Sequence, residues 1–367
     1  MRILNLIQCT NLAGMEQASL RLMQALQQLD HSCRLLSLNP IGDLGPLLEK
    51  SAIPAIGLKY RGPAGMLGLP TFRRALAEES PRTDSFLMTG HNLMAMLGLG
   101  GFCKGHRVLA LHFHHQGVKP PWMWKAIYAL AHQQFGAITY PCDFIRREAE
   151  DIYPAIKGKT HTIRLPIEVP PSPTSEDRAT ARESLGVPLD APVVGNAGWL
   201  IPRKRWDVFL ETAVLIKKML PNAVFLIAGD GPLRTELGQL ATQLGLVDSI
   251  RWMGWCPKMA DFYHAIDLLL FNTDWDAFPV TPQEAMTYGR PVIASAINSG
   301  LKELFSEFTP GVLFAEHDIA ALAQAAVDIL INSERALCLG REGREGMRQL
   351  GEPARIAREY ASLLGCS

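Results

Sequence analysis

The chain is 367 residues long, 48% hydrophobic and 20% charged, with a formal net charge of zero. At roughly 100–200 residues per domain this length favours two soluble domains, and the neutral balance excludes a global pull toward nucleic acid. Seven cysteines, an odd count with no C-x-x-C pair, argue against a disulfide frame or a zinc knuckle and for a reducing compartment.

Short apolar runs alternate with longer helical patterns in the first half. Ile3–Ile7 reads as a strand, Glu16–Leu29 as a helix and Cys33–Leu38 as a strand. A helix near Thr71–Glu79 follows, then strands at Ser85–Met88 and Val108–Leu111, a helix near Trp122–Gln134 and a strand at Ala137–Thr139. Continuous apolar strands between helices suit a parallel sheet covered on both faces. From Pro166 to about Pro192 the chain turns proline-rich and polar, which reads as a linker. A second series then begins, with strands at Val193–Val194, Val224–Ala228, Ile250–Trp252, Leu268–Phe271 and Val292–Ala294. Its helices run near Trp206–Met219, Leu233–Leu244, Met259–His264 and Pro282–Tyr288. The expected fold is α/β, two Rossmann-like domains facing across a cleft, with ligands at the carboxyl ends of the strands.

Charge divides along the same line. Residues 1–170 hold 18 Lys+Arg and 12 Asp+Glu, a balance of +6, and residues 171–367 hold 18 and 24, a balance of −6. The basic half is the better candidate for an anionic surface or acceptor. The apolar run after Met1 is too short for a signal peptide, and no stretch approaches the ~20 apolar residues of a spanning helix. The expected location is cytoplasmic, with peripheral contact at the inner face of a membrane through the N-terminal domain.

Three stretches of the second half carry candidate chemistry. Gly195-Asn-Ala-Gly198-Trp-Leu-Ile-Pro202-Arg203-Lys204-Arg205-Trp206 follows a strand and opens a helix. Cations beside a glycine turn and a helix N-terminus suit a diphosphate; a solvated basic turn is the plainer reading. Ala228-Gly229-Asp230-Gly231-Pro232 is by itself ordinary turn chemistry. In Asp276-Ala-Phe278-Pro279-Val280-Thr281-Pro282-Gln283-Glu284, seven residues separate Asp276 from Glu284. A helix starting at Pro282 puts Glu284 in its first turn, where an acid favours the dipole without any ligand. The alternative is a carboxylate that accepts hydrogen bonds from sugar hydroxyls, with loop N–H groups from Phe278 to Thr281 facing phosphate or sugar.

In this order and spacing the three stretches resemble the C-terminal half of the GT-B glycosyltransferases of family GT4, the group 1 glycosyltransferases. Lys204 matches the family's phosphate-binding lysine, Gly229 to Pro232 its Gly-x-Gly-Pro turn, and Glu284 the second glutamate of its Glu-x7-Glu element. Ala285-Met286, Gly289 and Pro291 fit the Ala-Met-x-x-Gly-x-Pro run that succeeds this element, Ile250 to Gly254 stand for the family's Val-x-Phe-x-Gly element, and Asp267 for its Ala-Asp. In the first half, Thr10 to Glu16, with Gly14, takes the place of a Gly-Gly-x-Glu turn, and Val108 to His112 that of a Val-x-x-x-His strand end. Three positions depart: Trp199 replaces the first turn's arginine, leaving Arg203 or Arg205 to supply that charge; Asp276 replaces the first glutamate; only one glycine of the Gly-Gly turn is present.

The resemblance implies an N-terminal acceptor domain, residues 1–168, on which a closing helix of about 352–367 packs back, and a nucleotide-sugar donor domain, residues 169–367. It implies a retaining, metal-independent glycosyltransferase of EC 2.4 type that moves a sugar from a UDP- or GDP-sugar to a glycan or lipid-linked acceptor, in cell-surface polysaccharide or lipopolysaccharide biosynthesis. Lys204, Asp276, Glu284 and His112 would be catalytic. Gly14, Gly198, Arg203, Arg205, Gly229, Gly231, Phe278, Pro279, Val280 and Thr281 would bind the donor. No cofactor is implied beyond the nucleotide-sugar co-substrate. A GT-B-fold sugar-nucleotide epimerase and a non-catalytic sugar-nucleotide-binding protein are the rival readings.

Three features remain open. His112-Phe113-His114-His115 reads first as the family's active-site histidine (His112), then as a plain loop, then as a metal site that lacks its acid. Asp274-Trp275-Asp276 spells the D-x-D of metal-dependent GT-A enzymes, a pairing that its position makes coincidental. Lys119 to Tyr128 mixes basic, tryptophan and apolar residues, as headgroup-layer segments do; a core helix is the preferred reading.

Overall fold

The computed structural model describes residues 1–11, 14–59, 68–103, 106–113, 115, 119–256, 258–295, 300–314 and 318–365. It divides into two compact units, Met1–Ile167 with Gly351–Ser367, and Glu168–Leu350.

The first unit is built on a parallel sheet. In chain order it comprises β1 (Arg2–Ile7), α1 (Gly14–Gln27), β2 (Ser32–Ser37), α2 (Gly45–Lys50), β3 (Ala55–Gly57), α3 (Leu69–Glu79), β4 (Ser85–Thr89), α4 (Leu93–Gly98), β5 (Arg107–Ala110), α5 (Pro121–Gln134), β6 (Ala137–Tyr140), α6 (Asp143–Ile152) and β7 (Thr160–Thr162). The spatial order is β3-β2-β1-β4-β5-β6-β7. Every registered pair is parallel, for example Ile3 beside Cys33 and Ser85. Burial on both faces explains the unbroken apolar strands, since helices cover the sheet above and below.

The second unit repeats the plan with α7 (Ser175–Ser184), β8 (Val193–Ala197), α8 (Trp206–Met219), β9 (Val224–Ala228), α9 (Arg234–Gln243), β10 (Ile250–Gly254), α10 (Met259–Ala265), β11 (Leu268–Phe271), α11 (Val280–Thr287), β12 (Val292–Ser295), α12 (Gly300–Glu307), β13 (Gly311–Phe314), α13 (Ile319–Leu330) and α14 (Ser333–Leu350). Its strand order is β10-β9-β8-β11-β12-β13. Trp206, Phe209, Leu226, Ile227, Leu268, Leu270 and Ile293 are among its fully buried side chains. The order reverses direction between β8 and β11, and such a switch point opens a crevice at the carboxyl ends of the two strands.

The chain then returns to the first unit as α15 (Pro353–Leu363). Ile356, Ala357, Tyr360, Ala361 and Leu364 are buried in that unit's core. The Tyr360 and Thr139 hydroxyls share a hydrogen bond of 2.9 Å, and the Ser85 hydroxyl donates to the Leu364 carbonyl at 2.8 Å.

The reading of 166–192 as a linker needs correction, because α7 lies inside it. Thr174 caps that helix with a capping box, accepting from the Asp177 amide while the Asp177 carboxylate accepts from the Thr174 amide. Arg182, fully buried, donates to the carbonyls of Ala265, Leu189 and Ala191 and pairs with Asp267. Asp267 also accepts from the Val193 amide at 2.9 Å and pairs with Arg178. The family-like aspartate before β11 therefore ties α7 to β8. A polar helix held by one buried guanidinium leaves little apolar periodicity to read.

Candidate functional site

The site of the second unit is assembled from three loops that leave the carboxyl ends of β8, β9 and β11. After β8 the chain turns at Gly198 (φ +153°), passes Trp199 and Leu200, makes a short 3-10 turn at Pro202–Lys204, and enters α8 through Arg205 in the left-handed region (φ +44°). The β9 turn lies against this one. Gly198 donates its amide to Ala228 O and Leu200 donates its amide to Asp230 O. A Cβ on Gly229 would stand 1.9 Å from the Gly198 carbonyl oxygen, and one on Gly231 would stand 2.7 Å from that of Leu200. The two glycines of the second turn exist because two backbones touch there.

The cations of the first turn meet the loop after β11. Lys204 Nζ donates to Asp276 Oδ2 at 2.6 Å and lies 4.8 Å from the Phe271 ring centroid. Arg203 reaches the same carboxylate at 3.4 Å and the Trp275 carbonyl at 3.2 Å, with its guanidinium over the Trp275 ring. The Arg203 carbonyl accepts from the Asp274 amide and the Thr273 hydroxyl. Burial pushes the Asp276 carboxyl up, but Lys204 and Arg203 outweigh it and hold it below the usual carboxylate range. Arg205 turns elsewhere, to Asp207 and Asp274, and both carboxylates raise its pKa. Of the two arginines weighed as substitutes for the one missing at Trp199, Arg203 shares the lysine's carboxylate. Trp199 is 53% exposed, and its carbonyl accepts from the Trp206 indole at 2.9 Å. The two acids of the D-x-D stretch face different cations.

Helix α11 starts at Val280 with Pro279 as its N-cap, and no acid lies in its first turn. This corrects the expectation that Glu284 answers the helix dipole from the first turn. The helix begins two residues before Pro282, so Glu284 sits in the second turn. Its carboxylate accepts from the Tyr263 hydroxyl at 3.0 Å. Tyr263 is buried and stacked on Tyr288, centroids 5.1 Å apart. Thr281 donates its hydroxyl to Ala197 O, at the end of β8, at 3.2 Å, and Gln283 donates to Pro279 O at 2.9 Å. Phe278 and Pro279 are buried, and Val280 opens the helix. Free helical N–H groups and the cationic turn thus lie at the same strand ends, on either side of the switch point. Tyr263, on α10, had no sequence signal: it is 21 residues from Glu284, in a short mixed helix that matches no motif.

Gly14 and His112 belong to the first unit. Gly14 opens α1 after β1, and Glu16, on the same turn, accepts from the Cys9 thiol at 3.2 Å. Burial and Glu16 push that thiol up to about 11. His112 follows β5. Its Nδ1 is buried with no partner among the described residues, and burial lowers its pKa to about 4. His91, after β4, shares both properties. His115 is turned away from chemistry: Nδ1 meets Glu148 at 3.0 Å and Nε2 meets the Tyr128 hydroxyl. Both of its ring nitrogens are therefore occupied. His114 and Gln116, and Leu12 and Ala13 of the first turn, lie outside the described residues. Among those described, no group of three or more His, Cys, Asp or Glu could hold a metal ion, and no helix is long and apolar enough to cross a membrane. A separate cavity of about 760 Å³ lies beside β7, α6 and α15.

Two comparable Rossmann-like α/β units with a cationic turn at the second switch point define the GT-B class. Solved structures agree over the whole chain. Anabaena HepE in complex with UDP and glucose aligns with a TM-score of 0.84 at 19% identity, covering 100% of both chains. WaaG, a glycosyltransferase involved in lipopolysaccharide biosynthesis, aligns with a TM-score of 0.77 at 15% identity, again over 100% of both. Residues 177–346 match the family model described as glycosyl transferases group 1. Among curated relatives, the 2-deoxystreptamine N-acetyl-D-glucosaminyltransferase of Streptomyces fradiae is 31% identical over 219 residues, 54% of this chain and 52% of the relative. The lipopolysaccharide core biosynthesis mannosyltransferase LpsB of Rhizobium meliloti is 28% identical over 178 residues, 46% of this chain and 49% of the relative. The chain spans about half the length of these curated relatives.

Proposed function

We propose that the protein is a retaining glycosyltransferase that moves a sugar from a nucleoside-diphosphate sugar, UDP- or GDP-linked, to a hydroxyl of a glycan or lipid-linked acceptor, in cell-surface polysaccharide or lipopolysaccharide synthesis. The observation that carries this reading is the junction of Lys204 and Arg203 with the loop before α11 at the β8–β11 switch point. The curated relatives that are glycosyltransferases, and the neighbour solved with UDP, support it.

In the proposed reaction the bond between the anomeric carbon and the diphosphate oxygen breaks. A bond from that carbon to the acceptor oxygen forms on the same face, and the acceptor proton passes to the departing phosphate. Lys204, Arg203 and the α11 N-terminus stabilise the charge that grows on the leaving group. Asp276 holds the two cations in place. Glu284, fixed by Tyr263, accepts hydrogen bonds from the donor's hydroxyls, and the loop N–H groups from Phe278 to Thr281 donate to its phosphate or sugar oxygens. His112, kept neutral by burial, is a hydrogen-bonding partner for sugar, and Gly14 lets the first turn lie close to the donor. No metal has a role in this scheme, because cations and helix dipole neutralise the diphosphate.

Product analysis tests the reading. With donor and a panel of acceptors, a glycosylated product of retained configuration should form, and EDTA should leave its rate unchanged. Isomerised donor with no acceptor present would indicate an epimerase. Nucleotide binding without turnover on any acceptor would indicate a binding protein.

A further inference from the structure

The first sheet has a switch point of its own. The order β3-β2-β1-β4-β5-β6-β7 reverses between β1 and β4, so a crevice opens at the carboxyl ends of those two strands. Asn92 spans it, donating its side-chain amide to Gln8 Oε1 at 2.8 Å. Gly90, at φ +115°, turns the chain off β4. His91 then packs edge-on to Phe113, ring centroids 4.3 Å apart, and against the buried Trp124 at 5.2 Å. The Trp124 indole donates to His115 O at 3.1 Å, which ties this aromatic wall to the loop after β5.

One cation stands beside the wall without a counter-charge. Lys119 is half-buried, and it is near enough to His91 that, after burial, it and His115 are what lower the histidine's pKa to about 4. No carboxylate acts on His91, and among the described residues none pairs with Lys119. The acid that approaches from α6, Glu148, is taken by His115 Nδ1 at 3.0 Å. The sequence accounts for the imbalance: no Asp or Glu occurs between Asp84 and Asp143, the stretch that carries α4, β5, α5 and β6. At the chain's average of 36 acids in 367 residues it would hold about six. A half-buried ammonium with no partner is costly unless an anion arrives with the ligand, and lysine is a ready point charge for phosphate.

We propose that this crevice takes an acceptor that itself carries an oxyanion, a phosphate ester or a carboxylate, with Lys119 against that group and the rings of His91 and Phe113 beside its sugar. The site rests on the transferase reading for its role as the acceptor's seat, whereas the anion contact stands by itself, so the two fail separately.

The test is NMR titration of the full chain with inorganic phosphate, read at the His91 ring, with sodium chloride at matched ionic strength as the blank and with UDP and GDP binding measured on the same samples. Phosphate should move the His91 resonance saturably. Lys119→Met should weaken that response at least about fivefold and Lys119→Arg by no more than about twofold, with nucleotide binding and melting temperature unchanged. Lys204→Ala should leave the His91 response as it is in the wild type. In transfer assays phosphate should inhibit in competition with the acceptor. A response no different from chloride, a wild-type response in Lys119→Met, loss of the response in Lys204→Ala, or inhibition that competes with the donor alone would overturn the proposal. An intact His91 response without binding of either nucleotide would support the anion site and remove the transferase reading.

Discussion

The Lys204 ammonium sits 2.6 Å from the Asp276 carboxylate, at the ends of two strands that adjoin across the switch point of the second sheet. Asp276 stands where the family pattern has a glutamate one methylene longer. The shorter acid still reaches the lysine, and Arg203 as well. It thereby positions two cations without cancelling both.

This pair makes a stability prediction. Lys204→Met leaves Asp276 largely buried with a weaker partner, at a cost of about 2–3 kcal/mol. Adding Asp276→Asn should recover most of it, because the double variant has no buried charge left in the pair and only the part-exposed Arg203 loses its carboxylate. Urea denaturation of the two singles and the double gives the coupling. Asp276 is held below its unfolded pKa, so its contribution is present at neutral pH and is lost only as pH falls through the carboxylate range. Additive single effects would contradict the pairing.

The touching turns predict a graded glycine series. Gly229→Ala puts a methyl 1.9 Å from a carbonyl oxygen at φ +144° and should cost more than about 3 kcal/mol, or prevent folding. Gly198→Ala is also at positive φ, but its Cβ meets nothing nearer than the Lys204 side chain at 3.9 Å. Strain alone should then cost about 1 kcal/mol. Melting temperatures in the reverse order would contradict this account of the second turn.

Two half-buried histidines, each with a buried Nδ1, predict an acid limit. His91 and His112 have pKa values lowered to about 4. The folded chain resists protons that the unfolded chain takes up near pH 6.5, so stability is full above that pH and falls as pH drops from about 6.5 toward 4, by up to about 3 kcal/mol per histidine. His112→Gln should flatten part of this slope. NMR titration showing His112 protonated at pH 6 would contradict it.

Tyr263 predicts a donor-side effect. Tyr263→Phe keeps the ring against Tyr288 and removes one hydrogen bond to Glu284. Donor KM should rise about three- to tenfold, which is roughly 1 kcal/mol, with the melting temperature nearly unchanged. Unaltered donor kinetics would show that the Tyr263 hydrogen bond does not position Glu284 for the donor.

The central strands and helices of both units were legible because their apolar runs are buried on both faces: Val224–Ala228, Leu268–Phe271 and Trp206–Met219 run where their pattern places them. The edge strands β3, β7 and β13 are short and partly exposed, so no continuous apolar run marks them. Helix α14 carries buried glycines at 340, 343 and 346, poor helix formers kept because α14 lies against Gly289, Met286 and Phe308 with no room for a Cβ. Within the site, the cationic turn and the Asp276–Glu284 element could be read from spacing. Tyr263 and the start of α11 could not, since both depend on packing between segments far apart in the chain.

The claim on which the rest depends is that Lys204 grips a pyrophosphate. Calorimetric titration of UDP and of GDP into the wild-type chain and into Lys204→Ala tests it directly. One of the two nucleotides should bind the wild type with micromolar affinity and bind Lys204→Ala at least about tenfold more weakly, the loss expected for one charge-assisted contact to phosphate. Equal affinity for the two proteins, or no binding of either nucleotide to the wild type, would contradict it.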